Sequence, residues 1–181
     1  MNNSLQFAVY KGIGGKYGAL QFNLQPPHYY KGKEKSHDGK DSNGQSIFES
    51  ENSWKLKDGW KIREGAVFLE ITSATGPNVY DWDNKIILAL SVIDIGKVLM
   101  KLLTGEKCEI MHDPGAKSQS QGTVKKFLNI ISPDGPSVGV VFTATQISGG
   151  EKRTHTVTMS GSEVIILKNL FDRAIARTLN W

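Results

Sequence analysis

The sequence predicts an α+β fold in which strands lead into a helix twice over. Three observations carry this. Ile86-Ile87-Leu88-Ala89-Leu90 is a short apolar run feeding directly into Ser91-Val92-Ile93-Asp94, where Ser91 can cap a helix and Asp94 lies near its positive end. Ser160-Gly161-Ser162-Glu163 sets a capping box ahead of a second apolar stretch, Val164 to Leu179. Segments with apolar residues at alternate positions precede each helix, the signature of half-buried strands.

Both helices carry more apolar surface than one sheet can cover. At about 100° per residue, Val92, Ile93, Ile95, Val98, Leu99, Met100, Leu102 and Leu103 span roughly 220° of the first helix. Gly105 stands where a left-handed residue commonly closes a helix. In the second, Val164, Ile165, Ile166, Leu167, Leu170, Phe171, Ala174, Ile175 and Leu179 also spill around the wheel, with Lys168, Asp172, Arg173 and Arg177 left for water. Two such helices in one small chain point to an oligomer.

The elements follow in order. Leu5–Lys11 and Tyr17–Leu24 read as two strand pieces, the second alternating Leu20, Phe22 and Leu24 against Gln21 and Asn23. Gly12-Ile13-Gly14-Gly15-Lys16 between them is not a nucleotide P-loop, because Tyr17 and a strand follow instead of Ser or Thr and a helix. It reads as a plain turn or as a loop touching a phosphate backbone. Residues 26–53 form a lysine-bearing loop, with Lys31, Lys33, Lys35 and Lys40, that is expected to be mobile. From 54 to 63, Trp54, Leu56, Trp60 and Ile62 share one parity, and Lys55, Lys57, Lys61 and Arg63 the other. A two-residue hairpin at Asp58-Gly59 would scramble that pattern, so a continuous or bulged strand is expected. The unmixed cationic parity favours phosphate contact over a merely solvated face.

Ala66–Thr72 is a further strand, and Gly76-Pro77-Asn78 turns the chain into Tyr80-Asp81-Trp82. After the first helix come Lys107–Met111, a polar loop from Gly115 to Gly122, and a strand over Thr123–Ile131. That strand sets Lys125 and Phe127 on one face and Val124, Leu128 and Ile130 on the other. Pro133-Asp134-Gly135-Pro136 is a turn, and Val138–Ile147 with Lys152–Thr158 forms a hairpin to which Lys152, Arg153 and His155 add positive charge.

The 181 residues suit one domain, or two tightly joined halves with a break near 105–106. A net charge of +4 is compatible with an anionic partner. The lone Cys108 excludes an intramolecular disulfide and reads as a small core residue. No apolar run reaches membrane-spanning length and no secretory signal opens the chain; a transit peptide removed ahead of residue 1 would leave no trace. His112-Asp113 is the only adjacent pair suggesting catalysis, and strand neighbours point to opposite faces, so no relay forms between them. With no nucleophile elbow, metal cluster or carboxylate dyad, an enzyme is not expected, nor is a cofactor.

Taken together and in order, Tyr80-Asp81-Trp82, Ala89-Leu90-Ser91, Gly96, His112-Asp113-Pro114 and Gly122-Thr123-Val124-Lys125-Lys126 resemble the Whirly family of single-stranded nucleic-acid-binding proteins. The likeness is clearest from Tyr80 to Leu128. Plant members carry an unbroken Lys-Gly-Lys-Ala-Ala-Leu run, whereas Ile13 to Gly18 here separate Lys11-Gly12 from Ala19-Leu20. That difference and the lysine-bearing loop lean the resemblance towards the kinetoplastid mitochondrial guide-RNA-binding proteins.

The resemblance implies four antiparallel strands and a helix, repeated, with the helices at the centre of a tetramer. The tetramer is of identical chains or shared with a related sister subunit. It implies a mitochondrial protein that holds guide RNA by its phosphates and promotes annealing to pre-mRNA, without a cofactor. The expected contacts are Lys11, Lys16, Lys55, Lys57, Lys61, Arg63, Lys125 and Arg153 to phosphate, with Tyr17 and Phe127 stacking on bases. Tyr80 and Trp82 read as packing residues. The alternative is a plant-type single-stranded DNA binder in organelle genome maintenance or transcription. A third reading is a scaffold whose basic face meets an acidic protein.

Overall fold

The structure, a computed structural model, describes residues 6–11, 18–31, 53–55, 60–113 and 124–179. In chain order the strands are β1 (Gln6–Lys11), β2 (Gly18–Gln25), β3 (His28–Lys31), β4 (Ser53–Lys55), β5 (Trp60–Arg63), β6 (Ala66–Gly76), β7 (Val79–Tyr80) and β8 (Ile86–Leu90), followed by helix α1 (Val92–Thr104). Strands β9 (Cys108–His112), β10 (Lys125–Ile131), β11 (Gly139–Ser148) and β12 (Glu151–Ser160) then lead into α2 (Gly161–Leu179).

Strands β1-β2-β6-β8 form one antiparallel sheet, with short β7 paired to the far end of β6. Strands β9-β10-β11-β12 form a second. Each half is thus a four-stranded meander closed by a helix, as the α+β reading and the resemblance both anticipate. Alternation fixes which face is buried. Leu20, Phe22, Leu69, Ile71, Ile86 and Leu88 point inward from the first sheet; Ile110, Leu128, Ile130, Phe142, Ala144 and Val157 do so from the second. Both faces merge with Ile95, Val98 and Leu102 of α1 and Val164, Leu167 and Phe171 of α2 in one core. Phe22 meets Phe142 and Phe171 edge-on at centroid distances of 6.1 and 5.2 Å, tying first sheet, second sheet and α2 together.

The helix boundaries follow the capping chemistry. Ser91 accepts from the Asp94 backbone N–H, and Asp94 accepts from the Ser91 backbone N–H at 3.1 Å and its hydroxyl at 2.8 Å. Gly105 closes α1 at φ +80°, the left-handed region that glycine tolerates best. At α2, Glu163 accepts from the Ser160 backbone N–H at 2.7 Å and its hydroxyl at 2.9 Å. The β11–β12 hairpin turns through Gly149 and Gly150, both at positive φ, as a tight hairpin requires.

Two expectations change. Residues 54–63 are not one strand: β4 and β5 are antiparallel partners, pairing Ser53 with Arg63, Trp54 with Ile62 and Lys55 with Lys61. The objection to a hairpin holds only for a two-residue loop. Here partners stay an even number of positions apart, so the pairing keeps the two parities of the segment separate. The lysine-bearing loop also does not begin at residue 26 as loop throughout. His28-Tyr29-Tyr30-Lys31, aromatic enough to pair, forms β3 against β5 in a third sheet ordered β3-β5-β4.

His112 joins the α1 cap, its Nε2 lying 3.1 Å from Asp94 Oδ2. Burial pushes the Asp94 carboxyl up, but hydrogen bonds from His112 and Ser91 and the His112 charge outweigh it, holding the pKa below the usual aspartate value. A depressed carboxylate stabilises the fold above its unfolded pKa of about 3.9, and loses that contribution as pH falls through the folded value. Asp94→Ala is therefore expected to lower stability by about 1–3 kcal/mol at pH 7 and by much less near pH 3, read from denaturant melts at the two pH values. An equal loss at both would contradict the assignment.

Candidate nucleic-acid interface

Because apolar residues point inward, the opposite parity of the first sheet faces out. Neighbours on that face are Tyr10 and Ala19, Gln21 and Glu70, Asn23 and Phe68, Phe68 and Ala89, and Glu70 and Ile87. The small third sheet stands beside it. Arg63 pairs with His28 of β3, and both line a groove of about 670 Å³ with Pro26, Pro27, Asn23, Phe68, Glu70, Ile87 and Ala89. The groove is therefore lined by apolar side chains, side-chain amides, a guanidinium and the carboxylates of Glu64 and Glu70. That combination accepts a flat ring while meeting an anion at its edge.

A second feature lies where β1 meets β7. Tyr10, 53% exposed, stands 5.3 Å from Tyr80 and 6.5 Å from Trp82 between ring centroids. The turn bearing Trp82 is held from both halves. Asp81 donates its backbone N–H to the Ser73 carbonyl at 3.0 Å, and Asn84 Nδ2 donates to Asp81 Oδ2 at 2.8 Å. From β12, His155 Nε2 lies 2.9 Å from the Asn84 carbonyl and Arg153 Nη1 donates to the same oxygen at 3.1 Å. Since a carbonyl only accepts, Nε2 carries the proton, and Nδ1, 2.8 Å from Ser73 Oγ, accepts from that hydroxyl.

The outer face of the second sheet is the third feature. Phe127 is half-buried between Met111 of β9 and Thr145 of β11, with exposed Lys125 two residues before it. Its neighbour Lys126 takes the other parity and donates to the Ile87 carbonyl at 2.8 Å, linking β10 to the edge of β8. Burial pushes the Lys126 pKa down.

The expected contacts are thus distributed unevenly. Arg63 lines the groove, Lys125 and Phe127 share the second outer face, and Arg153 braces the Trp82 turn from an exposed position. Lys11 is tied to Glu163, its Nζ 2.7 Å from Oε2, because β1 ends beside the α2 cap. Lys55 and Lys61 are cross-strand partners at the parity of Arg63. Lys16, Tyr17 and Lys57 lie outside the described residues.

Sequence reasoning missed the groove floor, although the alternation that buried Leu69 and Leu88 already turned Phe68 and Ala89 outward. It also treated Tyr80 and Trp82 as packing alone, where they join an exposed Tyr10. Among the described residues no His, Cys, Asp and Glu group could hold a metal, and no helix is long and apolar enough to cross a membrane.

His155→Ala removes one hydrogen bond to the Trp82 turn, at the Asn84 carbonyl, and one to Ser73 of β6. Amide exchange over residues 81–84 should accelerate while that of β6 stays slow, with a stability loss of about 1–3 kcal/mol. Unchanged exchange at 81–84 would show that the turn does not depend on this histidine.

Comparison with known proteins follows the same lines. Residues 44–170 match the family model described as Whirly transcription factor. The single-stranded DNA-binding protein WHY2, mitochondrial, of Arabidopsis thaliana is 27% identical over 122 residues, 66% of this chain and 50% of that protein. WHY1, chloroplastic, of Solanum tuberosum, also a single-stranded DNA-binding protein, is 39% identical over 74 residues, 40% of this chain and 27% of that protein. The chain thus spans half or less of the length of these relatives.

Among solved structures, the plant transcriptional regulator PBF-2 superimposes with a TM-score of 0.72 at 25% identity, covering 100% of this chain and 85% of that one. The trypanosome MRP1/MRP2 structure gives 0.51 at 11% identity over 97% of this chain and 85% of that one, a likeness of fold alone. The lean towards the kinetoplastid branch therefore rests on weaker similarity than the plant one. On either side of residues 12–17, which lie outside the described residues, β1 and β2 pair in register from Gln6 with Asn23 to Lys11 with Gly18.

Proposed function

The chain belongs to the Whirly family, and from that premise we propose that it binds single-stranded nucleic acid, DNA in preference to RNA, on the outer faces of its two sheets. The observation that carries the reading is the groove that Arg63 lines together with Phe68, Ile87 and Ala89. Arg63 and Lys125 meet phosphates, while Phe68, Phe127 and the Tyr10–Tyr80–Trp82 cluster offer ring faces to bases. A duplex hides those base faces, which is why single strands are favoured. The named plant relatives favour DNA and an organelle, the mitochondrion for WHY2 and the chloroplast for WHY1. Guide-RNA annealing in mitochondrial RNA editing becomes the second reading, supported by a fold-level likeness.

The working unit in this reading is a tetramer. Ile93, Met100 and Leu103 of α1 are 70, 56 and 62% exposed, and Ile165, Ile166 and Leu170 of α2 are 62, 47 and 40% exposed. All six belong to the apolar arcs that the helical wheel makes wider than one sheet covers. Neighbouring copies bury them, and the sheets are left facing outward. Native mass spectrometry should give four chains, and Ile93→Glu with Leu103→Glu should give folded single chains. A wild-type protein that stays single at micromolar concentration would contradict the assembly.

Competition between DNA and RNA oligonucleotides of matched sequence tests the ligand: DNA should displace RNA, and the reverse would restore the guide-RNA reading. Binding should weaken steeply with salt. Each phosphate contact removed lowers the log–log salt slope by roughly 0.7, so Arg63→Ala with Lys125→Ala should lower it by about 1.4. An unchanged slope would remove these two residues from the interface.

A further inference from the structure

The groove is lined by two carboxylates that phosphate binding does not explain, Glu64 next to Arg63 and Glu70 on the sheet, and the second is held in place by its neighbours. Glu70 stands on its floor between Gln21 and Ile87, with its side chain 14% exposed. Its Oε2 accepts from Gln21 Nε2 at 2.9 Å and lies 2.6 Å from Lys85 Nζ. A carboxylate has about four lone-pair positions, and Gln21 and Lys85 both meet the same oxygen. Such a group repels a phosphate entering the groove, yet it is a strong charge-assisted acceptor for a base N–H.

Arg63 lines the same groove. A guanidinium fork matches two acceptors side by side, the pattern that guanine shows at O6 and N7. Guanine also carries two adjacent donors, N1–H and the N2 amino group, which match a carboxylate. Adenine and cytosine each set one amino donor beside an acceptor, and thymine offers a single N–H between two carbonyls. Phe68, Ile87 and Ala89 supply apolar surface for the ring face.

We propose that this groove is a guanine subsite, with Glu70 selecting the base through its N1–H and N2 amino donors and Arg63 meeting its acceptor edge. The inference rests on the single-strand reading above and adds to it a base preference at one position. A strand held elsewhere through phosphates would settle with a guanine in the groove wherever its sequence provides one.

Fluorescence anisotropy with a labelled twelve-nucleotide thymidine strand, and with the same strand carrying one central dG, tests this. A single guanine keeps the strand from folding on itself. The dG strand should bind at least about fivefold more tightly, the lower end of discrimination by a bidentate contact. Deoxyinosine, which lacks only the N2 amino group, should lose most of that gain. Glu70→Gln should abolish it, the dG and all-thymidine strands then binding that variant within about twofold of each other. Equal binding of the dG and thymidine strands by the wild type, or a gain that survives deoxyinosine, overturns the proposal without needing the variant to fold. A gain surviving in folded Glu70→Gln does so as well. Absence of binding to either strand would overturn the single-strand reading itself, a result distinct from equal binding.

Discussion

The architecture depends on one contact region, where Phe22 of the first sheet meets Phe142 of the second and Phe171 of α2. Burying those rings commits the inward parity of every long strand to a shared core. An antiparallel strand has only two faces, so commitment of one leaves the other wholly available. The outward faces proposed to bind single strands are therefore the complement of the core. Phe68 is outward because Leu69 is inward, and Lys125 is outward because Leu128 is inward. Function on such a surface needs no special fold, only the choice of residues at alternate positions.

The two halves do more than repeat. His155 and Arg153 of β12 reach the Asn84 carbonyl of the first half, and Lys126 of β10 reaches the Ile87 carbonyl of β8. Each link places a cationic or titratable side chain of the second half against backbone of the first. The aromatic cluster around Trp82 is thereby positioned by residues some seventy positions away, which accounts for a fixed platform at the end of a two-residue strand and a single 3-10 turn.

Much of this was legible from local chemistry. The Ser91 and Glu163 caps, the αL closure at Gly105 and the Gly149-Gly150 hairpin each depend on residues within a few positions, and all stand where sequence reading places them. What was not legible depends on register between distant strands. Whether residues 54–63 form one strand or two turns on loop length, and both choices preserve parity when the loop is odd in length. The pairing of His112 with Asp94, the tie between Lys11 and Glu163, and the groove between the third sheet and β6 likewise join segments that no spacing relates. Lys11 is instructive: its charge was plain in the sequence, and its commitment to the α2 cap was not.

The central claim is that single strands lie on the outward faces of the sheets while the helices face neighbouring copies. Photocrosslinking with a 5-iodouracil-substituted DNA strand, followed by peptide mapping, addresses it most directly. The account predicts adducts on peptides carrying Phe68, Tyr80 to Trp82, or Phe127, and none on α1 or α2. Adducts concentrated on the exposed apolar residues of the helices would contradict it.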